Sequence, residues 1–426
     1  MIFNNSQAFL TYLYALPKTH EKADLTYIKQ VLNLLGNPQN QVKTIHVTGT
    51  NGKGSTSYYL SNLLQKAGQK TGLFVSPYVF EFGERIQING QYISESELLR
   101  IANRVEQVLA QLRQDNASFS LVTFEYEVVL AFIYFAQAKC DYAVIEVGIG
   151  GQHDKTNVIV PEVSIITTVG LDHEALIGPT IQDIAREKSG IIKHQRPVIL
   201  GNVPNEVLPL IKQKALVEAA PLYQLGVDFD VNLATAAVYT DQKRQVTLSP
   251  RPLVECYDLA VAIKAFSLLQ IPLADNQIEL ALDQMVIPGR YQIIQNNPLV
   301  VLDGAHNIQA MQNLLHFVHQ QQQRRQGKVR ILIMLMRDKD LTPIFSLFEE
   351  NDEVHITTID YPRAANKDDF PQQIKNKYPY EADWQIAFEQ LRQKSQPNDI
   401  LLVTGSFYLV GNILQWEQKY ENKRHK

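Results

Sequence analysis

The chain has 426 residues, 45% hydrophobic and 20% charged, an ordinary globular usage that suggests two or three domains with sizeable cores and excludes wholesale disorder. Its 44 acidic and 40 basic residues leave a formal charge of -4, which argues against a nucleic-acid protein reliant on a large basic excess. Cys140 and Cys256 stand far apart in no metal-ligand pattern and read as core fillers rather than a disulfide or a zinc site. The start, Met1-Ile2-Phe3-Asn4-Asn5-Ser6, lacks a signal-peptide pattern, and no stretch reaches the ~18 uninterrupted apolar residues of a membrane span, so a cytoplasmic protein away from membranes is expected.

Along the chain the dominant rhythm is a short apolar strand, a turn and an amphipathic helix. Strands are predicted at Thr44–Val47, Gly72–Val75, Tyr142–Val147, Val163–Thr168 and Pro197–Leu200, brief and β-branched as suits strands buried on both faces of a parallel sheet. Helical periodicity marks Thr56–Ala67, Glu95–Leu112, Phe124–Ala138, Thr180–Ser189 and Glu206–Val217. That alternation predicts a parallel α/β sheet with right-handed crossovers. The stretch Phe229–Leu248 alternates differently and predicts a small β-meander, after which helices near Tyr257–Leu269 and Asn276–Gln284 close a first domain, 1–287. Ile287-Pro288-Gly289-Arg290 interrupts regular structure and predicts a hinge. From 288 to 426 the rhythm restarts, with strands at Leu299–Leu302, Val329–Leu335, Val354–Ile359 and Ile400–Val403. Helices at Ile308–Gln321, Leu341–Phe348, Ile386–Gln393 and Tyr408–Trp416 alternate with them, predicting a smaller Rossmann-like α/β domain. The polar run Gln320–Arg325 reads as a solvated helix end before Gly327.

Chemistry concentrates at the predicted strand ends. Gly49-Thr50-Asn51-Gly52-Lys53-Gly54-Ser55 lies between a strand and a helix that Ser55 is expected to open. Glycines let backbone N–H groups turn toward phosphate, the helix N-terminus adds partial positive charge, and Lys53 can reach the β- and γ-phosphates. Gly54, after the lysine, departs from the common G-x-x-x-x-G-K-[ST] pattern, yet strand, loop, lysine and helix together predict a P-loop ATPase-type domain that binds ATP. Glu146 ends an apolar strand and is a candidate Mg²⁺ ligand beside those phosphates. His173, in Asp172-His173-Glu174 after another buried strand, is a candidate at the same sheet edge. Lys188, near a helix end, reads by local physics alone as an exposed lysine complementing the helix dipole.

Taken in order, His46–Ser55, Ser76-Pro77, Glu84-Arg85, Glu146-Val147-Gly148, Asp172-His173, Lys188–Lys193, Asp303-Gly304-Ala305-His306-Asn307 and Thr404-Gly405-Ser406 resemble the folylpolyglutamate synthase family, whose bifunctional form is also a dihydrofolate synthase, among the Mur-ligase-like ATP-dependent amide ligases. The resemblance spans nearly the whole chain. It implies that ATP phosphorylates the terminal γ-carboxylate of a folate, that the amine of L-glutamate attacks the acyl phosphate, and that ADP and phosphate leave. Gly49, Asn51, Gly52, Lys53, Gly54 and Ser55 would then hold the ATP phosphates, and Ser76, Glu146 and His173 would ligate Mg²⁺ at up to two sites. Lys188 matches a lysine that is carbamylated in the family, which replaces the exposed-lysine reading and joins it to Lys53 and His173 as catalytic. Arg290 and Asp303 match nucleotide contacts; Ser76, Arg85 and Asp154 match the pterin side; His306, Ser406 and Tyr408 are candidates for the glutamate end. Where the family carries a nucleotide-contacting Asn before the helix near Tyr257, this chain has Asp258, which removes amide donors and adds negative charge near ATP.

Two other readings compete. Another Mur-type ligase would act on a nucleotide-linked sugar peptide, against which Lys53-Gly54-Ser55 and Ser76-Pro77 speak; a paralogue that binds nucleotide or folate without ligating is kept open by Pro252–Asp258. Partners beyond folate, L-glutamate and ATP are not expected, and a monomer is.

Overall fold

A computed structural model describes residues 2–20, 24–232, 236–339 and 341–424. It forms two compact units, one of Met1–Pro77 with Phe82–Met285 and one of Tyr78–Glu81 with Val286–Lys426.

The first unit is built on eight strands: β1 (Lys43–Thr48), β2 (Thr71–Phe74), β3 (Ile86–Ile88), β4 (Gln91–Tyr92), β5 (Tyr142–Glu146), β6 (Val163–Thr168), β7 (Val198–Asn202) and β8 (Leu222–Gln224). They lie in the order β4-β3-β2-β5-β1-β6-β7-β8. From β2 to β8 every pairing is parallel, while β3 and β4 add an antiparallel edge that hydrophobic periodicity did not announce. The central strands are buried on both faces, which is why they read as unbroken apolar runs. One face carries the helices Ser6–Ala15, Thr26–Leu34, Glu95–Asp115 and Thr123–Gln137 over a core that includes Phe9, Leu32, Tyr126 and Phe135. The helix Lys53–Lys66 packs against Leu253–Leu268, and Glu255 on the latter accepts a hydrogen bond from Tyr59 on the former.

The meander is present as β9 (Phe229–Asn232), β10 (Ala237–Asp241) and β11 (Gln245–Leu248), antiparallel throughout; residues 233–235 of that stretch lie outside the described residues. Its polar–apolar alternation matches a sheet with one covered face. The P-loop helix begins at Lys53, with Gly52 as its N-cap, two residues before the expected Ser55. The helix expected to start near Tyr257 begins at Leu253, so Pro252–Asp258 forms its N-cap and first two turns rather than a loop before it.

The second unit holds β12 (Gln292–Asn296), β13 (Leu299–Leu302), β14 (Val329–Ile333), β15 (Glu353–Thr358), β16 (Tyr380–Asp383) and β17 (Ile400–Thr404), in the order β12-β13-β17-β14-β15-β16. All pairs are parallel except β12 with β13. The helices Ile308–Arg325, Leu341–Phe345 and Gln372–Lys377 cover one face; Trp384–Lys394 and Phe407–Arg424 cover the other. The short β16 and its preceding helix carry too few apolar residues to register as a periodic pattern. Residues Tyr78–Glu81 group with this unit because Gln415 Nε2 donates to Phe80 O at 2.8 Å and Gly411 lets the Val79 carbonyl approach.

One polar clamp in this unit carries a prediction. His319, on the helix Ile308–Arg325, contacts Asp352 through Nε2 at 3.0 Å and Glu349 through Nδ1 at 3.2 Å. The bond to Asp352 raises the imidazole above its ordinary range against the opposing effect of burial. A group whose pKa rises on folding stabilises the fold fully below its unfolded value of about 6.5 and loses that contribution as pH climbs through the folded value. His319→Ala should therefore lower the melting temperature more at pH 5.5 than at pH 9, the difference reflecting on the order of 1–2 kcal/mol of charge-assisted bonding; equal losses at both pH values would refute the clamp.

Candidate active site

Four adjacent parallel strands, β2-β5-β1-β6, end together, and their carboxyl ends bring the expected residues of the first unit to one edge. After β1 comes the phosphate loop. Gly49 approaches β6 so closely that a Cβ would sit 1.9 Å from Thr167 Oγ1, and Gly52 has φ +83°, a left-handed conformation that favours glycine. The loop is fastened to β6 by threonines. Thr167 Oγ1 donates to Asn51 O at 2.6 Å, Asn51 N donates to Thr168 Oγ1 at 2.9 Å, and Thr50 N donates to Thr168 O at 3.0 Å. Lys53 Nζ donates to the Gly49 and Thr50 carbonyls at 2.9 and 3.2 Å, while Gly54 and Ser55 are buried in the first helical turn.

At the end of β5, Glu146 is only 2% exposed, and its Oε2 accepts from Ser76 N, beyond the end of β2, at 3.0 Å. A carboxylate and a hydroxyl-bearing residue held together here present the hard oxygen donors that Mg²⁺ takes. Among the described residues no three His, Cys, Asp or Glu side chains gather as a metal-holding group. His173 follows β6 with φ +54°, N-caps the short helix Glu174–Ile177, and keeps Nε2 3.7 Å from Asp172 Oδ2.

Lys188 corrects the local reading of an exposed helix-end lysine: it is 3% exposed. Its helix, Ile181–Ser189, lies under the loop that follows Glu146. A Cβ on Gly151 would meet the Glu187 carbonyl at 2.6 Å and Lys188 Cα at 3.0 Å, so glycine is what lets the two backbones touch. Glu187 secures the contact, its O accepting from Gln152 N at 2.7 Å and its Oε1 from His153 N at 2.8 Å. Burial, reinforced by the Lys53 ammonium, pulls the Lys188 amine down to about 7, with Asp172, Glu187 and Asp154 opposing. Much of the lysine is thus a neutral nucleophile at neutral pH.

Asp154 is buried and spends its carboxylate on its own loop: Oδ2 accepts from Ile149 N at 3.0 Å, and Oδ1 accepts from Thr156 N at 2.9 Å and from the Thr156 hydroxyl. Burial raises its carboxyl despite those bonds. His46 Nε2 contacts the same hydroxyl at 2.8 Å, and burial drives that imidazole down to about 3, so it is neutral. Arg85 lies beside Glu127 on the helix Thr123–Gln137, Nε to Oε1 3.4 Å. Asp258 stands over the phosphate loop: a Cβ on Gly52 would be 2.1 Å from Asp258 Oδ1.

The second unit assembles its own candidates at the carboxyl ends of the adjacent strands β13 and β17. Asp303 accepts from Tyr291 N and Ala305 N, both at 2.8 Å. Arg290 places its guanidinium carbon 4.8 Å from the centre of the Phe407 ring, and His306 Nδ1 contacts Gly304 O at 2.8 Å. Ser406 Oγ accepts from Tyr408 N at 3.2 Å, and Tyr408 stacks on Tyr361 with ring centres 4.5 Å apart.

Thr167, Thr168, Glu187 and Glu127 escaped the motif reading. The Thr pair at the end of an otherwise apolar strand was the one available signal.

Against known families, residues 47–255 match the Mur ligase middle domain and 289–407 match the Mur ligase, glutamate ligase domain. The folylpolyglutamate synthase of Lacticaseibacillus casei is 32% identical, over 95% of this chain and 97% of its own. The dihydrofolate synthase/folylpolyglutamate synthase of Bacillus subtilis (strain 168) is 31% identical over 97% and 99%. A bifunctional folylpolyglutamate synthase/dihydrofolate synthase from Yersinia pestis, solved with AMPPNP and a Mn ion, superposes with a TM-score of 0.87 at 29% identity, covering 97% of this chain and 98% of that one.

Replacing Gly49 by Ala should loosen the loop from β6 and raise the dissociation constant of a non-hydrolysable ATP analogue about tenfold or more, the scale of 1.4 kcal/mol. Calorimetric titration checks this, and unchanged affinity would mean that the fit to Thr167 is unimportant.

Proposed function

The chain belongs to the folylpolyglutamate synthase/dihydrofolate synthase family of ATP-dependent, amide-bond-forming ligases, and we propose from that premise how its residues divide the work of joining L-glutamate to the γ-carboxylate of a folate. The observation that carries the reading is the shared edge at which β1, β2, β5 and β6 present a phosphate loop and a buried glutamate, with the buried Lys188 of the helix Ile181–Ser189 against the loop that follows.

Residues 1–287 hold ATP. The backbone of Gly49, Asn51, Gly52, Gly54 and Ser55 cradles the phosphates, and Lys53 moves from its loop carbonyls to the transferring phosphoryl group. Glu146, Ser76 and His173 hold Mg²⁺, which when bound neutralises charge on the phosphate oxygens. A carboxylate is a poor electrophile until one oxygen becomes a phosphate leaving group, which is why ATP is consumed. Lys188 is carbamylated: its neutral amine adds to carbon dioxide, one proton leaves the nitrogen, and the buried amine becomes an anion facing Lys53. Arg85 and Asp154 meet the pterin side of the acceptor, Asp154 through the loop it braces. Residues 288–426 supply Arg290 and Asp303 to the nucleotide and His306, Ser406 and Tyr408 to glutamate. The protein works as a cytoplasmic monomer, away from nucleic acid and membranes; among the described residues no helix is long and apolar enough to cross one. Dihydropteroate is a second acceptor in the same reading.

ADP should form only when folate, glutamate and Mg²⁺ are all present, and mass spectrometry of products from tetrahydrofolate and dihydropteroate offered separately should show added glutamates; equal ATP turnover without acceptor sinks the ligase reading. Lys188→Ala should cut kcat by about a hundredfold or more, the scale of lost electrostatic stabilisation at a transferring group. The intact protein should also carry the added mass of one carbon dioxide, and an unmodified, fully active protein would exclude the carbamate. Asp258→Asn should lower the KM for ATP several-fold, about 1 kcal/mol, by removing like charge beside the phosphates. A raised KM would instead make the carboxylate a nucleotide contact.

A further inference from the structure

His46 is a fully buried titratable residue to which the transfer of a phosphoryl group assigns no part. On β1 it alternates with the apolar Ile45 and Val47, so it shares a face with Thr48, which is equally buried. Both polar side chains reach the loop that follows β5. Thr48 Oγ1 donates to Gly150 O at 2.5 Å, and His46 Nε2 stands 2.8 Å from Thr156 Oγ1. The strand that delivers the phosphate loop is thus bonded at two points to the loop that carries Asp154.

The partners set the direction of the protons. Both oxygens of Asp154 accept N–H bonds, Oδ2 from Ile149 and Oδ1 from Thr156, which is the setting of an ionised carboxylate. Such a group only accepts, so the Thr156 hydroxyl gives its one proton to Asp154 Oδ1. The hydroxyl oxygen is then left to accept from His46 Nε2–H. His46 Nδ1 has no hydrogen-bond partner, which suits a bare lone pair, whereas a proton there would be orphaned in the core. Burial keeps the imidazole neutral, so it supplies a donor without adding a charge beside the carboxylate.

We propose that His46 and Thr156 form a positioning relay, imidazole to hydroxyl to carboxylate, that fixes Asp154 and its loop for the acceptor. The inference rests on the folate reading above, which puts that loop on the pterin side. Both relay residues are 0% exposed, so they act on the acceptor only through Asp154.

The test compares the full-length protein with Thr156→Val, which keeps the shape of the side chain and removes the hydroxyl, and Thr156→Ser, which keeps the hydroxyl. Thr156→Val should raise the KM for tetrahydrofolate and the dissociation constant of dihydropteroate by about fivefold or more, the scale of a lost hydrogen bond to a charged group. The KM values for ATP and glutamate should stay within about twofold, and Thr156→Ser should restore acceptor binding. Thr156→Ala supplies the same comparison if the valine variant does not fold. Nitrogen-15 spectra of histidine-labelled protein, with His46 assigned by its loss in His46→Gln, should show a neutral ring protonated at Nε2 and a shift of that nitrogen in Thr156→Val. A proton on Nδ1 in the wild type would overturn the relay, as would unchanged acceptor binding in Thr156→Val. Equal weakening of ATP and acceptor with a lowered melting temperature would reduce the pair to core packing. A wild-type protein that binds no dihydropteroate and forms no ADP with tetrahydrofolate would instead count against the folate reading, while the nitrogen spectra would still decide whether the relay exists.

Discussion

Everything at the candidate site depends on the parallel registration of β2, β5, β1 and β6. Parallel neighbours end on the same side of a sheet, so residues from about 50 to 190 meet at one edge although more than a hundred positions separate them. The ladder bonds that fix the register also fix the relative positions of the phosphate loop, Glu146 and Ser76. A one-residue slip of β5 against β2 would send Glu146 to the opposite face and remove its carboxylate from Ser76 N.

Around that edge, charge is organised by exclusion of water more than by number. Lys188 gives up its proton near neutrality, first because it is buried and then because the Lys53 ammonium repels its charge. Asp154 and Glu127 are held the other way, their carboxyls lifted by burial and partly restored by hydrogen bonds or a cation. His46, in the centre of β1, is neutral at any working pH.

Much of this was legible in the sequence because it is local. A strand buried on both faces must be apolar, a phosphate loop must be rich in glycine, and the order of motifs along the chain carries the family likeness. The starts of the helices at Lys53 and Leu253 were missed because a glycine N-cap and a proline N-cap leave no hydrogen-bonding side chain to mark them. Lys188 shows the limit most clearly. Its neighbours in sequence describe a helix end that should be wet, and only the close approach of Gly151, from a loop 37 positions earlier, buries it. Thr167, Thr168 and Glu127 were hidden for the same reason, since their partners lie far away along the chain.

The bonds from Lys53 to the carbonyls of Gly49 and Thr50 have a thermodynamic consequence. The ammonium has three protons and gives two of them to these oxygens, so a phosphate that takes more than one exchanges hydrogen bonds at this residue as well as adding them. The net gain is then mostly Coulombic, between a cation and a multiply charged anion in a partly dry loop. Such a gain is screened by ions. Nucleotide affinity in this protein should consequently weaken as ionic strength rises, and the lysine acts as a latch whose resting position is provided by the loop itself.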